Sequence, residues 1–214
     1  RAATAAGVAR LIQVSAIGTG GDSPSAYARS KAAGEAAVRE AFPGATIVRP
    51  SVVFGPEDDF FNRFAAMARL MPVLPLFDGG ATRFQPVYVG DVAEAVSRIL
   101  DAPESASRTY ELGGPRVYTY REIMELVIAE TRRGRHLVSI PLALARPLAA
   151  LMGLLPKPPL TRDQLLQLGR DNVVSDGALG LSDLGVAARA IEPIVATYLR
   201  RFRRAGHTES HRPA

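Results

Sequence analysis

The chain has 214 residues, 47% of them hydrophobic and 22% charged, which is enough for a substantial core and fits an ordinary globular protein. The absence of cysteine excludes disulfides and thiolate metal sites, and the three histidines form no ligand cluster (His207 and His211 lie in a polar tail, His136 stands alone), so no metal is expected. The net charge of +5 is concentrated in Arg200, Arg201, Arg203, Arg204 and Arg212; the body is near neutral, and with little aromatic interleaving no nucleic-acid partner is expected.

In chain order, Gly7 closes a helical remnant, and residues 11–17 (LIQVSAI) form an apolar run of strand type, expected to be buried on both faces of a parallel sheet. Residues 26–42 read as a helix ended by Pro43 and Gly44, residues 46–54 (TIVRPSVVF) as one buried strand, and residues 59–71 as a helix. Residues 72–80 read as a loop and 84–89 as an extended segment. Asp91 with Glu94 three residues later predicts a capping box for the helix over 91–100. A short strand over 110–112 precedes Gly113-Gly114-Pro115, and Thr119 with Glu122 repeats the capping signature for a helix ending near Arg133. Residues 140–155 (IPLALARPLAALMGLL) are apolar almost all round, yet too short and too interrupted by Arg146 and Pro147 to span a bilayer. They read as a buried helix or as a patch that docks on a partner or membrane interface. Thr161 caps a further helix, and the last runs over 191–204. Strands alternating with helices at this spacing predict an α/β fold built on a parallel sheet.

Tyr27 and Lys31 stand four apart on the first full helix and so share a face. A tyrosine with pKa of about 10 is a poor acid or base at neutral pH; a neighbouring ammonium is expected to lower it, and can also donate to the ribose hydroxyls of a nicotinamide cofactor. Lys31 and Lys157 are the sole lysines among 26 basic residues, which singles them out where an ammonium is needed. Ser15, at the C-terminal end of the preceding strand, is placed to hydrogen-bond a substrate carbonyl, since ligands bind at strand ends of open α/β sheets. Gly18, Gly20 and Ser23 imitate a phosphate-binding glycine pattern, but no acidic residue ends the next strand, and residues 18–25 read as an active-site loop.

With SAYARSKAAGE after IQVSAIG, then IVRPSVVFGP, FQPVYVGDVAEAV and YELGGP, the chain resembles the extended short-chain dehydrogenase/reductases over residues 7–204. Within them it looks most like the branch of NADPH-binding accessory subunits of respiratory complex I (NADH:ubiquinone oxidoreductase) and their bacterial homologues. AYARSKAAGEAAVREAFPGATIVRPSVVFGPEDDFFNRFA, QPVYVGDVAEAV and LTRDQL are its most specific stretches. The resemblance implies the C-terminal part of a Rossmann-type parallel sheet plus a smaller, mostly helical C-terminal domain. Residues 1–118 would be the remaining half of an NAD(P)-binding domain, 119–205 a substrate or docking domain, and 206–214 a disordered tail.

It further implies Ser15, Tyr27 and Lys31 as the active-site set, with Arg49, Pro50, Ser51, Val52 and Val53 on the nicotinamide side of NADP or NAD, largely through backbone groups. Arg49 and Pro50 alone read equally well as a strand end. Members of the family begin with a glycine-rich pyrophosphate-binding unit, so about four strands are expected upstream of Arg1, and the chain alone is expected to be unstable and a poor dinucleotide binder. The branch implies complex I partners, a structural cofactor, peripheral membrane contact through 140–155 and the basic tail, and a place in the bacterial cytoplasm or on the cytoplasmic face of the inner membrane. The alternative is a soluble NAD(P)-dependent epimerase, dehydratase or reductase acting on a sugar nucleotide or a quinone or isoprenoid precursor. A binding module without cofactor is a third reading. Intact Ser15, Tyr27 and Lys31 favour the enzyme; the branch-specific stretches favour the accessory subunit.

Overall fold

The computed structural model describes residues 1–145, 147 and 161–204. Most of the predicted apolar segment 140–155, including Arg146, lies outside the described residues, as do Lys157 and the predicted tail over 206–214.

The expected α/β architecture is present. A short helix, α1 (Ala2–Ala5), leads to β1 (Ile12–Val14), α2 (Ala26–Ala41) and β2 (Thr46–Pro50). Ser25 starts α2 by accepting from the Ala28 N–H at 3.3 Å, and the chain leaves the helix at Phe42, before Pro43. β1, β2 and β7 (Thr109–Leu112) form a parallel sheet in the order β1-β2-β7. As the middle strand, β2 is buried everywhere except at Arg49. The expectation that β1 is buried on both faces fails: Val14 is 47% exposed, because β1 is an edge strand covered from one flank only.

The predicted single strand over 46–54 is two strands. After Pro50 the chain leaves the three-stranded sheet, and β3 (Val53–Phe54) pairs in parallel with β6 (Val87–Tyr88) instead. The predicted helix over 59–71 is α3 (Phe60–Leu70). The predicted loop over 72–80 contains a strand, β4 (Val73–Phe77), which pairs in parallel with β9 (His136–Ile140). Pro75 hid it from sequence reading, yet a two-stranded ladder tolerates a residue without an N–H. β5 (Arg83–Phe84) pairs antiparallel with β8 (Tyr118–Thr119).

α4 (Val89–Asp101) begins two residues before Asp91, with no side-chain cap. Asp91 is therefore not the cap predicted; it is fully buried in the first turn and holds Arg189, accepting its backbone N–H at 2.8 Å and pairing with its guanidinium at 3.3 Å. The capping box of Thr119 and Glu122 opens α5 (Tyr120–Thr131) as predicted, and Thr161 with Gln164 forms another on α6 (Arg162–Leu168). The last helix is α7 (Ile191–Leu199).

Two cores result. One packs Val48, Val87, Ala95, Ile99, Tyr110 and Leu112 under the parallel sheet. The larger joins β4 and helices α3, α5 and α7, and draws on residues from Phe54 to Phe84 as well as from Tyr118 onward. At its centre Phe54, Phe60, Phe61, Phe64, Phe77, Phe84, Tyr88 and Tyr120 lie in ring contacts of 5.2–6.4 Å, many edge-on, which favours the ring quadrupoles. The Gly113-Gly114 turn lets the two regions approach: a Cβ on Gly114 would run into the Pro86 carbonyl oxygen.

Candidate functional site

The site lies where β1 ends, in the loop that follows, and on α2. The Ser15 N–H donates to the Val48 carbonyl at 2.7 Å, fixing the residue at the end of the sheet. Its side chain is buried, 3% exposed, and Oγ lies near the Glu35 carboxylate without a hydrogen bond of normal geometry. The hydroxyl is enclosed beside Glu35, away from solvent. Ile17 anchors to the Pro50 carbonyl at 3.0 Å, and Gly18 then takes a left-handed turn at φ 78° that starts the loop.

Tyr27 and Lys31 share a face of α2, as their spacing predicts. The Lys31 ammonium lies 5.6 Å from the centre of the Tyr27 ring and donates to the Val14 carbonyl at 3.3 Å. It covers the ring face, and burial pushes the Tyr27 phenol up from its ordinary 10.0. That is opposite to the lowering expected from the sequence. Tyr27 is 43% exposed, and its hydroxyl has no hydrogen-bond partner among the described residues.

The start of α2 is held from a distance. Asp163, on α6, accepts from the Ala26 N–H at 2.7 Å, the Ser25 hydroxyl at 3.0 Å and the Tyr27 N–H at 3.4 Å. Burial alone would raise the Asp163 carboxyl; these bonds and one from Gln167 outweigh it and hold the carboxyl below its ordinary value. The sequence comparison marked LTRDQL as specific but assigned Asp163 no role.

Arg49 points into an ion cluster beneath α2. It grips Glu35 with two bonds, Nε to Oε1 at 2.9 Å and a terminal nitrogen to Oε2 at 2.7 Å, and lies 3.6 Å from Glu111. Thr19 adds a bond to Glu35 at 3.3 Å, and Arg39 stands 3.7 Å away. Burial would raise the Glu35 carboxyl, but Arg49, the Ser15 hydroxyl nearby and the charge of Arg39 hold it low.

The neighbouring stretch is also engaged internally. The Ser51 N–H donates to the Leu112 carbonyl at 2.8 Å, and the Val52 carbonyl accepts from Val87 at 2.9 Å. Asn172 clamps the place where the chain changes sheets: its Oδ1 accepts from the Ser51 hydroxyl at 2.7 Å and the Val52 N–H at 3.0 Å, while its amide donates to the Ile17 carbonyl at 3.4 Å. Val53 is paired with Val87. Asn172 was invisible to sequence reading, because nothing local links it to Val52, 120 positions away between β2 and β3.

The structure thus brings Ser15, Tyr27 and Lys31 to one end of the sheet and turns Arg49 inward. A free phenol and an ammonium with donors beyond the one used on Val14 suit a ligand rich in hydroxyl groups.

The family model described as the RmlD substrate binding domain matches residues 22–152. The chain is 39% identical to the mitochondrial NADH dehydrogenase [ubiquinone] 1 alpha subcomplex subunit 9 of Arabidopsis thaliana, over 94% of this chain and 52% of the relative. It is 35% identical to the protein of that name from Mus musculus, over 95% of this chain and 54% of the relative. The chain therefore spans about half the length of the curated relatives it matches. In fold it resembles the dTDP-glucose 4,6-dehydratase of Streptomyces venezuelae, solved with NAD bound, at a TM-score of 0.63 and 18% identity, over 94% of this chain and 61% of that one. The chain belongs to the RmlD substrate-binding-domain family of short-chain dehydrogenase/reductase-type proteins.

Proposed function

We propose that this chain is part of an NAD(P)-binding accessory subunit of respiratory NADH:ubiquinone oxidoreductase, complex I, in which NADP or NAD serves as a structural group. The observation that carries the reading is the face shared by Tyr27 and Lys31 at the end of β1, in a chain 39% identical to a relative named for that complex. Lys31 holds ribose hydroxyls with the N–H groups not used on Val14, and Tyr27 and Ser15 complete the polar contacts. Pro50, Ser51, Val52 and Val53 line the nicotinamide side by shape, since the backbone N–H groups of Ser51 and Val52 already bind within the protein, while Arg49 supports them from the ion cluster beneath α2. When bound, the nicotinamide supplies a hydride donor or acceptor. In this reading the Tyr27 phenol, which burial pushes above its ordinary value, serves as a hydrogen-bond donor.

Residues 1–118 form the remaining half of the nucleotide-binding domain and 119–205 the docking domain, with residues 54–84 contributing to the core of the second. No helix among the described residues is long and apolar enough to cross a membrane. The protein sits peripherally on the cytoplasmic face of a bacterial inner membrane, with residues 140–155 and the basic tail in contact. The test is a native gel of solubilised membranes from the source organism, with peptide mass spectrometry of the NADH-oxidising band. Peptides of this chain in that band support the reading; their confinement to the soluble fraction overturns it in favour of a free-standing reductase or epimerase.

A further inference from the structure

Three helices end side by side at the far side of the larger core, and arginines bind their last carbonyls together. Arg135 donates through Nε to the Ala68 carbonyl of α3 at 2.7 Å, and Arg133 to the Phe202 carbonyl after α7 at 2.8 Å. Arg203 donates to the Glu130 carbonyl of α5 at 2.8 Å and pairs with its carboxylate at 3.2 Å. Such bonds satisfy helix ends and their negative dipoles. They leave an excess of charge all the same. Arg69, Arg133, Arg135 and Arg204 have no carboxylate partner among the described residues. Arg69 adjoins Ala68, whose carbonyl Arg135 binds, and Arg204 lies two residues from Phe202, whose carbonyl Arg133 binds, so the four charges share one end of the core.

Beside them the chain is exposed without a break from Arg69 to Val73, over the end of α3 and the start of β4. Leu70 is 81% exposed, Met71 45% and Val73 37%. The pairing of Val73 with His136 sets this apolar stretch next to the arginine-bearing turn after α5. No aromatic residue lies in the stretch 69–73 to serve as the anchor of a protein interface. Flexible aliphatic side chains ringed by guanidinium groups are instead what a leaflet of anionic lipid accepts, the arginines at the headgroups and the apolar tips just below.

We propose that residues 69–73, with Arg133, Arg135 and Arg204, form a docking surface that seats on anionic phospholipid. This rests on the membrane-surface reading given above and adds to 140–155 and the basic tail a contact centred on residues 69–73, which Arg204 of that tail borders.

The test is flotation of the purified full-length protein with vesicles of phosphatidylcholine alone, or with about one third phosphatidylglycerol. Binding to the anionic vesicles only, weakened at least roughly tenfold by high salt, is expected. Each arginine at such a surface is worth roughly fivefold in partitioning, so combining Arg69→Glu with Arg204→Glu should weaken binding by roughly 25-fold or more, with the tail otherwise intact. Leu70→Ser, at an exposed position where the fold has little to lose, should weaken it by roughly threefold. Equal binding to neutral vesicles, no binding to either, wild-type binding by both variants, or capture by an acidic protein surface alone would overturn the proposal. Presence in the NADH-oxidising band without vesicle binding would sink the docking surface and leave the accessory-subunit reading standing. Vesicle binding by a protein absent from that band would do the reverse.

Discussion

Near the start of α2, Tyr27 is 43% exposed and its hydroxyl has no partner among the described residues; about two turns further along, Glu35 is 3% exposed and accepts three hydrogen bonds. The two residues share a helix yet face different tasks. Groups whose bonding capacity is filled within the protein hold elements together, and removing one strands a buried partner. Groups with capacity left over cost little to remove from the fold and matter to a ligand. By that criterion Arg49, Glu35, Glu111 and Asn172 build the floor beneath α2, and Tyr27 and Lys31 are the groups with capacity left over.

The largest effect should come from the floor. Glu35→Ala leaves the partly buried Arg49 with only the more distant Glu111, and is expected to destabilise the protein by about 2–3 kcal/mol in urea titration. Asn172→Ala removes the clamp on Ser51 and Val52 and should cost about 2–3 kcal/mol; a loss under about half a kcal/mol would show that the change of sheets holds without it. Asp163→Ala frees the start of α2 and should cost about 1 kcal/mol, with faster hydrogen exchange at the Ala26 and Tyr27 amides.

A pH series sharpens the same contrast. The Glu35 and Asp163 carboxyls are held below their ordinary values of 4.5 and 3.8, so the unfolded chain binds more protons than the folded one in that range. Their contribution is present above those values and lost as pH falls through the lower folded ones. Glu35→Gln should therefore flatten the acid limb of the stability curve, whereas Tyr27→Phe should leave that limb unchanged. Tyr27, with its pKa raised, contributes stability that is lost only as pH rises above its ordinary 10.0.

Local signals carried much of this molecule. Thr119 with Glu122 marked a helix start that the structure reproduces, and the spacing of Tyr27 and Lys31 placed both on one face, because capping and helical periodicity act within a few residues. Where the decisive contact is remote, the sequence was silent or misleading. Asp91 has the pattern of a cap, but is buried against Arg189 nearly a hundred positions on. Residues 46–54 read as one strand because their hydrophobicity is continuous; the break after Pro50 is imposed by Asn172 and by pairing with Val87. A neighbouring lysine suggested a lowered phenol pKa, yet whether its ammonium meets the oxygen or the ring face depends on side-chain geometry that spacing does not set.

The most direct test of the central claim compares the intact protein with its Tyr27→Phe variant, measuring NADPH affinity by fluorescence titration and turnover with sugar-nucleotide and quinone-type substrates. For a structural nucleotide, stability should change by less than about 0.5 kcal/mol, affinity should stay within a few-fold, and neither protein should turn over substrate. Measurable turnover in the parent that collapses in the variant, with affinity intact, would contradict it and make Tyr27 a catalytic residue.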